Sequence, residues 1–319
     1  MLTAYRADGG KLAVAEGASE AAVWIDLVTP TQDEEALVEG LLRLDIPTRD
    51  DMQEIEQSSR IYAEDGGLFL TAQIVASAAS REPEIGPVTF VLAHGRLVTV
   101  RYHHPNALKV FADRSARQDL GCATGLGVLL ALLETVVDRL ADILEGEARK
   151  LDTLTKAIFE AHRPAGRAET LGAILQRIGR AEDLNGKLRE SLSTLQRVVA
   201  FLSGQGAVKA AVVLDGDRMK ALADDVRSLQ EVAAVQGQKI LFQLDATLGV
   251  INIRQSDIIK IFSVVAFVFL PPTLIASVYG MNFEHMPELS WPWGYPMALG
   301  LMVVSALVPY AVFRWKKWL

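Results

Sequence analysis

The chain has 319 residues, half of them hydrophobic, and a formal net charge of −7. An acidic chain is repelled by the phosphate backbone, so we expect no nucleic-acid partner, whereas a surplus of carboxylates favours cations. The single cysteine, Cys122, excludes an intrachain disulfide and fits a reducing compartment. Residues 1–16 lack an apolar core of signal-peptide length, so we expect the N-terminal part to remain cytoplasmic.

The N-terminal part, residues 1–120, alternates strand and helix patterns and predicts an α+β cytoplasmic domain with a mixed sheet. Thr31, with Glu34 at the capping-box position, predicts a helix over 35–43, and Thr48 opens a second predicted helix that runs to residue 56. Glycine-containing turns predict two β-hairpins. The strand patterns cover residues 12–15, 22–28, 61–62, 68–76, 88–92 and 97–102.

Residues 121–257 predict a helical cytoplasmic region. Helical periodicity covers 125–161 and 168–202, and a third helix begins near residue 215 and meets no proline before Pro271. This stalk helix would be roughly 80 to 100 Å long. A long helix with one apolar seam packs most simply against copies of itself. The seam comprises Val226, Leu229, Val232, Ala233, Ile240, Leu244, Thr247, Leu248 and Ile251.

Residues 258–319 predict a membrane hairpin. Two uncharged stretches, 261–278 and 291–313, each reach the roughly 18 to 20 residues that a membrane helix needs. The loop between them contains Glu284 and Glu288 but no lysine or arginine, whereas three basic residues close the chain. The positive-inside rule therefore predicts that both termini are cytoplasmic and that the loop is outside. The basic residues are Arg314, Lys316 and Lys317.

Two membrane helices cannot enclose an aqueous path, so a pore requires several copies around an axis. The first span is the better pore candidate because it continues the long helix and carries polar positions broadly along one side, although Pro271 and Pro272 are expected to distort the helix. The polar members are Ser256, Thr273 and Asn282, and the apolar members are Ile259, Phe262, Ala266 and Leu270.

The segment Tyr279-Gly280-Met281-Asn282-Phe283, followed by Met286-Pro287-Glu288-Leu289, closely resembles the CorA family of magnesium channels. Segments at 258–263, 269–274 and 22–27 also match the family pattern. The resemblance implies a funnel-shaped homopentamer in the inner membrane, in contact with lipid and divalent cations. It implies Mg²⁺ uptake driven by the membrane potential and gated by cytoplasmic Mg²⁺, with Co²⁺ and Ni²⁺ as further ions.

The resemblance also implies roles for individual residues. Gly280, Met281 and Asn282 would form the selectivity filter. Apart from the resemblance, the charges of Glu284 and Glu288 are expected to raise the cation concentration near the mouth. Thr273 and Ser256 would be polar rings of the pore, and Ile259, Phe262 and Leu270 would be hydrophobic constrictions. Asp224 and Asp225 are candidates for a regulatory metal site, whose partner carboxylate is not identified. Mg²⁺ is then the transported and regulatory ion, and no cofactor is expected.

Three alternatives remain open. Asn282 would on the simplest interpretation only cap the end of the first span. A zinc transporter of the same superfamily is a second candidate. A membrane-anchored scaffold without transport is a third, of another class. We find no glycine-rich phosphate loop, nucleophile elbow or metalloprotease motif in the sequence, so no enzyme is expected.

Overall fold

The computed structural model describes residues 1–54, 56, 60–80, 82–160, 170–206, 215–282 and 286–316. The chain divides into two compact units. The first comprises Met1–Ala157 and Gly172–Leu244, and the second comprises Ile158–Leu171 and Asp245–Leu319.

The part of the chain that the structure describes contains seven β-strands and seven α-helices. The strands are β1 (Leu2–Asp8), β2 (Lys11–Ala15), β3 (Ala22–Val28), β4 (Ile61–Glu64), β5 (Gly67–Ala76), β6 (Glu84–Ala93) and β7 (Arg96–Arg101). The helices are α1 (Gln32–Leu42), α2 (Arg49–Gln53), α3 (Asn106–Ser115), α4 (Gly125–Glu160), α5 (Leu171–Phe201), α6 (Gly216–Tyr279) and α7 (Gly294–Trp315). One irregular helical turn, Leu202–Gly206, follows α5, and a 3₁₀ turn, Pro287–Ser290, precedes α7.

The first unit contains one mixed sheet, as predicted, with strand order β2-β1-β3-β7-β6-β5-β4. Only β3 and β7 pair in parallel, with Trp24 opposite Leu97 and Val28 opposite Arg101. The remaining pairs are antiparallel. The β3–β7 pair brings the N-terminal strands beside the C-terminal hairpin of the same sheet.

Apolar side chains cover both faces of this sheet. On one face, Ile25 and Val98 pack with Val38 and Leu42 of α1. On the other face, Phe90 packs with residues of α3, α4, α5 and the first part of α6. Alternation of side chains along each strand produces these two cores, since neighbouring residues point to opposite faces.

Local signals correctly located most of these elements. Thr31 caps α1, and its side chain and Glu34 form the predicted capping box. The predicted hairpins are β4–β5 and β6–β7. The second predicted helix is too long, because α2 ends at Gln53 and the backbone of Glu54 is extended. The sequence interpretation missed β1 and α3.

Helix α6 contains 64 residues and is therefore about 95 Å long. It keeps Pro271 and Pro272 within one helix. The predicted apolar seam of α6 does not pack as we expected. Val226 and Ala233 are fully buried within the single chain, in the same core as Leu188 of α5. The expectation that these seam residues pack against copies of the helix was therefore wrong for the first unit, since α5 already covers them.

Two helices of the second unit are long and apolar enough to cross a membrane, as the sequence predicted. One is the C-terminal part of α6, and the other is α7. Their apolar side chains are mostly exposed in the single chain, and Val264 is one of the few that are buried. Such exposure is expected of helices whose surroundings are lipid or other copies of the chain.

Candidate functional site

Residues Gly280, Met281 and Asn282 form the turn that ends α6. The amide of Gly280 donates to the carbonyl of Ala276 at 2.9 Å, and the amide of Met281 donates to that of Val278 at 3.3 Å. A β-carbon at position 280 would lie 3.0 Å from the Ala276 oxygen, so glycine relieves a close approach here. The carbonyl end of a helix carries partial negative charge, which favours a cation beside this turn.

The Asn282 side chain is exposed. Among the residues that the structure describes, none hydrogen-bonds to its amide group, and the interpretation of Asn282 as a capping residue stays an open alternative. An exposed amide offers one oxygen acceptor and two N–H donors to a hydrated ion. Glu288 is also exposed, on the 3₁₀ turn that precedes α7. Glu284 lies outside the described residues.

The five predicted pore-lining residues are all exposed and share one side of α6. At about 100° per residue they fall within an arc of about 120°. Phe262 is 71% exposed and Leu270 is 65% exposed. The complete set is Ser256, Ile259, Phe262, Leu270 and Thr273.

The second apolar helix packs against a different side of α6. Val264 is buried, and the ring of Phe267 lies 5.8 Å from that of Phe313 in α7. By helical position, Phe262 lies about 160° around the axis from Val264 and about 140° from Phe267, so it points away from α7. Leu270 lies only about 60° from Phe267, so the predicted pore-lining side is adjacent to the α7 contact rather than opposite to it.

Thr273 contributes a specific polar group to this exposed side. Its hydroxyl donates to the carbonyl of Phe269, one turn earlier in the helix. Because the proton is directed back to the helix, the oxygen lone pairs remain as acceptors. A ring of such oxygens suits the water molecules around a cation.

The regulatory candidates Asp224 and Asp225 are exposed on α6 in the first unit. Asp224 lines an open cavity of about 430 Å³ together with Gln196, Ser203 and Arg227. No cluster of three or more potential metal ligands exists within the described part of the chain. Within these residues no partner carboxylate is identified, and the regulatory site remains a prediction.

Sequence reasoning missed Gly294, the first residue of α7. A β-carbon there would lie 2.2 Å from the carbonyl oxygen of Glu288, which no side chain tolerates. The amide of Gly294 also donates to the carbonyl of Trp291 at 2.9 Å. Gly294 thus fixes the 3₁₀ turn that bears Glu288 against the start of α7. The only signal in the sequence was a glycine among aromatic residues.

Comparisons with known proteins agree with this arrangement. The model of a family described as CorA-like Mg²⁺ transporter protein matches residues 19–317. A protein of Escherichia coli (strain K12) named magnesium transport protein CorA is 35% identical over 323 residues, with 100% of both chains covered.

Solved structures show the same fold. The CorA magnesium transporter from Methanocaldococcus jannaschii is 19% identical, with a TM-score of 0.75 over 100% of this chain and 99% of that chain. The ZntB cytoplasmic domain from Vibrio parahaemolyticus is 12% identical, with a TM-score of 0.54 over 80% of this chain and 98% of that chain. At these identities the likeness concerns the fold alone.

Proposed function

Since this chain belongs to the family of CorA-like Mg²⁺ transporter proteins, we propose that it carries Mg²⁺ across the inner membrane through a pore formed by five identical subunits. The observation that carries the pore is the exposed side of α6 from Ser256 to Thr273, on which Phe262 points away from α7 and which leads toward the Asn282 turn. Residues 258–319 form the membrane hairpin in this proposal, residues 121–257 the helical cytoplasmic region, and residues 1–120 the α+β domain.

Assembly from several copies explains the exposed apolar residues on α6 in the first unit. Val235, Leu241 and Phe242 are 58 to 63% exposed in the single chain, although they lie outside the predicted membrane stretch. Exposed apolar patches of this kind mark interaction surfaces. Neighbouring subunits cover these side chains in the assembly, while α5 covers the opposite seam.

The filter acts on an ion that keeps its water. Mg²⁺ gives up its water ligands reluctantly, so stripping them would require many charged oxygens and would trap the ion. Five Asn282 amides with the Gly280 carbonyls instead accept hydrogen bonds from the hydration shell, and Met281 completes the turn. Glu284 and Glu288 raise the local cation concentration at the mouth.

The interior of the pore has a polar ring at each end and apolar rings between them. Thr273 and Ser256 supply hydroxyl oxygens. Ile259, Phe262 and Leu270 form constrictions that close by losing water. The membrane potential drives entry, since it supplies about 4.6 kcal/mol for a divalent ion per 100 mV.

Cytoplasmic Mg²⁺ closes the pore by binding between subunits. Asp224 and Asp225 are exposed on α6, and a carboxylate of a neighbouring subunit completes the ligand set. Arg314 in the last turn of α7 and Lys316 directly after the helix support cytoplasmic termini, because basic residues accumulate on that side. Co²⁺ and Ni²⁺ pass by the same route as hydrated divalent ions.

Flux measurements distinguish Mg²⁺ transport from the two alternative functions, zinc transport and a scaffold without transport. The structural likeness to a ZntB domain concerns the fold and does not favour zinc. Purified protein in liposomes, offered Mg²⁺, Co²⁺, Ni²⁺ and Zn²⁺ in turn, identifies the ion that is carried. A pentamer that passes none of them, at any internal Mg²⁺ concentration, supports the scaffold.

The decisive variant is Asn282→Ala. Removal of the five side-chain amides is expected to reduce Mg²⁺ uptake by at least about tenfold without loss of assembly, since the side chain is exposed at the end of α6. Asn106→Ala, at an exposed asparagine of the first unit, is the matched control. Uptake by Asn282→Ala at the parental rate would contradict the proposed filter.

A further inference from the structure

Two glutamines interrupt the buried apolar seam of α6. Gln236 and Gln243 are 6% and 0% exposed, and they lie in the same seam as Ala233 and Ile240. A leucine at either position would fill the space without burying an amide. Glutamine at a core position of a helix interface is therefore unfavourable unless its polar atoms find partners.

Both glutamines donate to the main chain of α4. The Gln236 Nε2 lies 2.8 Å from the carbonyl oxygen of Leu144. The Gln243 Nε2 lies 2.7 Å from the carbonyl oxygen of Leu151 and 2.7 Å from the hydroxyl oxygen of Thr155. The partners are thus two carbonyls seven residues apart, met by two amides that are also seven residues apart.

The bond from Gln243 to the Thr155 hydroxyl favours one axial register, since a hydroxyl, unlike a main-chain carbonyl, does not recur at every turn. Residue numbers rise together along α4 and α6, so the helices run in the same direction at this contact. Sliding α6 by one turn, about 5.4 Å, would offer the amides other main-chain carbonyls of α4. It would, however, separate Gln243 from the Thr155 hydroxyl, which only this register provides. A seam of leucines would tolerate such a shift, because apolar contacts are not directional.

The other side of α6 is held at the same level. A β-carbon at Gly237 would lie 3.0 Å from the Nδ2 of Asn185, which is buried on α5. On the α4 side, Lys239 forms an ion pair with Asp152. The glutamine pair is thus part of a contact in which α6 is confined between α4 and α5.

We infer that Gln236 and Gln243 are positioning residues that hold α6 in one register against α4, so that a change in the cytoplasmic unit reaches the pore-lining part of the same helix. This inference rests on the proposed function, because α6 continues without interruption to the Asn282 turn. Buried polar residues that select one register of paired helices are well established. The glutamines do not touch the ion.

The test uses the full-length protein with Gln236→Met and Gln243→Met, which keep the side-chain length but remove the N–H donors. Gln230→Met is the matched control on the same helix, since Gln230 bonds to the Gln196 side chain at 3.0 Å in a more exposed setting. Spin labels at exposed Glu145 of α4 and Gln238 of α6 report the register, with labelled subunits diluted by unlabelled ones. The native Cys122 is buried, and burial raises its thiol pKa to about 11, so it stays unlabelled.

In the double variant, we expect the label distance to shift by about 5 Å or to broaden by that amount. We also expect the internal Mg²⁺ concentration that halves uptake to change at least about fivefold. The control keeps both parental values. If the double variant does not assemble, each single variant is measured in the same way, with the same expected direction.

An unchanged label distance in the double variant would show that the glutamines do not hold α6 in register against α4. A shifted distance with unchanged Mg²⁺ inhibition overturns the coupling to the pore. If the parent itself carries no Mg²⁺, the proposed function fails, whereas the label distances still decide whether the glutamines hold the register.

Discussion

The carbonyl oxygen of Glu288 lies where the side chain of residue 294 would begin. A β-carbon on Gly294 would approach it to 2.2 Å, so the 3₁₀ turn and the start of α7 fit together only with glycine at this position. The turn directly precedes the second apolar helix and bears Glu288, the one acidic residue within the described part of the loop between α6 and α7.

Gly294→Ala is therefore expected to displace the Glu288 turn. Overpacking of this kind typically costs about 1 to 3 kcal/mol. We expect a lower thermal midpoint of the detergent-purified protein and a several-fold loss of Mg²⁺ uptake in liposomes. Gly300→Ala in the same helix is the control, since nothing lies within 4 Å of a β-carbon there. Equal behaviour of the two variants would show that the close approach does not matter.

Phe262→Ser is expected to weaken closure of the pore. Phe262 is 71% exposed on the predicted pore side, and a hydroxyl there allows water to remain in the constriction. Uptake measured at high internal Mg²⁺ should rise several-fold. Ile261→Ser provides the comparison, because Ile261 is similarly exposed but lies about 100° around the helix. A rise in both variants would indicate general damage to the helix.

His103 makes the stability of the first unit sensitive to acid. Its Nε2 lies 2.9 Å from the carbonyl of Ile74, and its buried Nδ1 has no hydrogen-bond partner among the described residues. Burial lowers its pKa below the ordinary value of 6.5. The unfolded chain therefore binds a proton at pH values where the folded chain does not. Stability is complete above about pH 6.5 and is lost as the pH falls toward the folded pKa.

The measurement is the thermal midpoint of the full-length protein between about pH 5 and pH 8. His103→Gln keeps an N–H donor for Ile74 but does not titrate, so its midpoint should fall less on acidification. His94→Asn, at an exposed turn, should retain the parental slope. A parental slope in His103→Gln would assign the acid sensitivity to other groups.

Asp26→Asn tests the buried ion pair of the sheet. Asp26 accepts hydrogen bonds from Thr99 at 2.7 Å and from two guanidinium nitrogens of Arg101 at 2.7 and 3.1 Å. Removing one partner leaves a buried charge without compensation, which costs about 3 to 5 kcal/mol. Asp142→Asn breaks the exposed pair with Arg139 and should change stability by less than about 1 kcal/mol. Denaturant unfolding followed by circular dichroism compares the two.

Much of the local structure could be predicted from the sequence, because its signals act over a few residues. The Thr31 capping box was found in place. The hairpin turns were also correct, with positive φ at Asp65, Gly66, His94 and Gly95. The two apolar helices and the glycine turn after Tyr279 follow from length, composition and one short segment. The positions of Ser256 to Thr273 on one side of a helix follow from periodicity alone.

The tertiary structure decided which partner each apolar or polar surface meets. Periodicity revealed the seam of α6 but not that α5 and α4 would cover it, since a helix pattern does not specify whether its partner is the same chain or a copy. The parallel contact of β3 with β7, the bonds from Gln243 to α4 and the fit of Gly294 to Glu288 all join residues through space. Such contacts depend on how the elements pack, and packing is set by the whole chain.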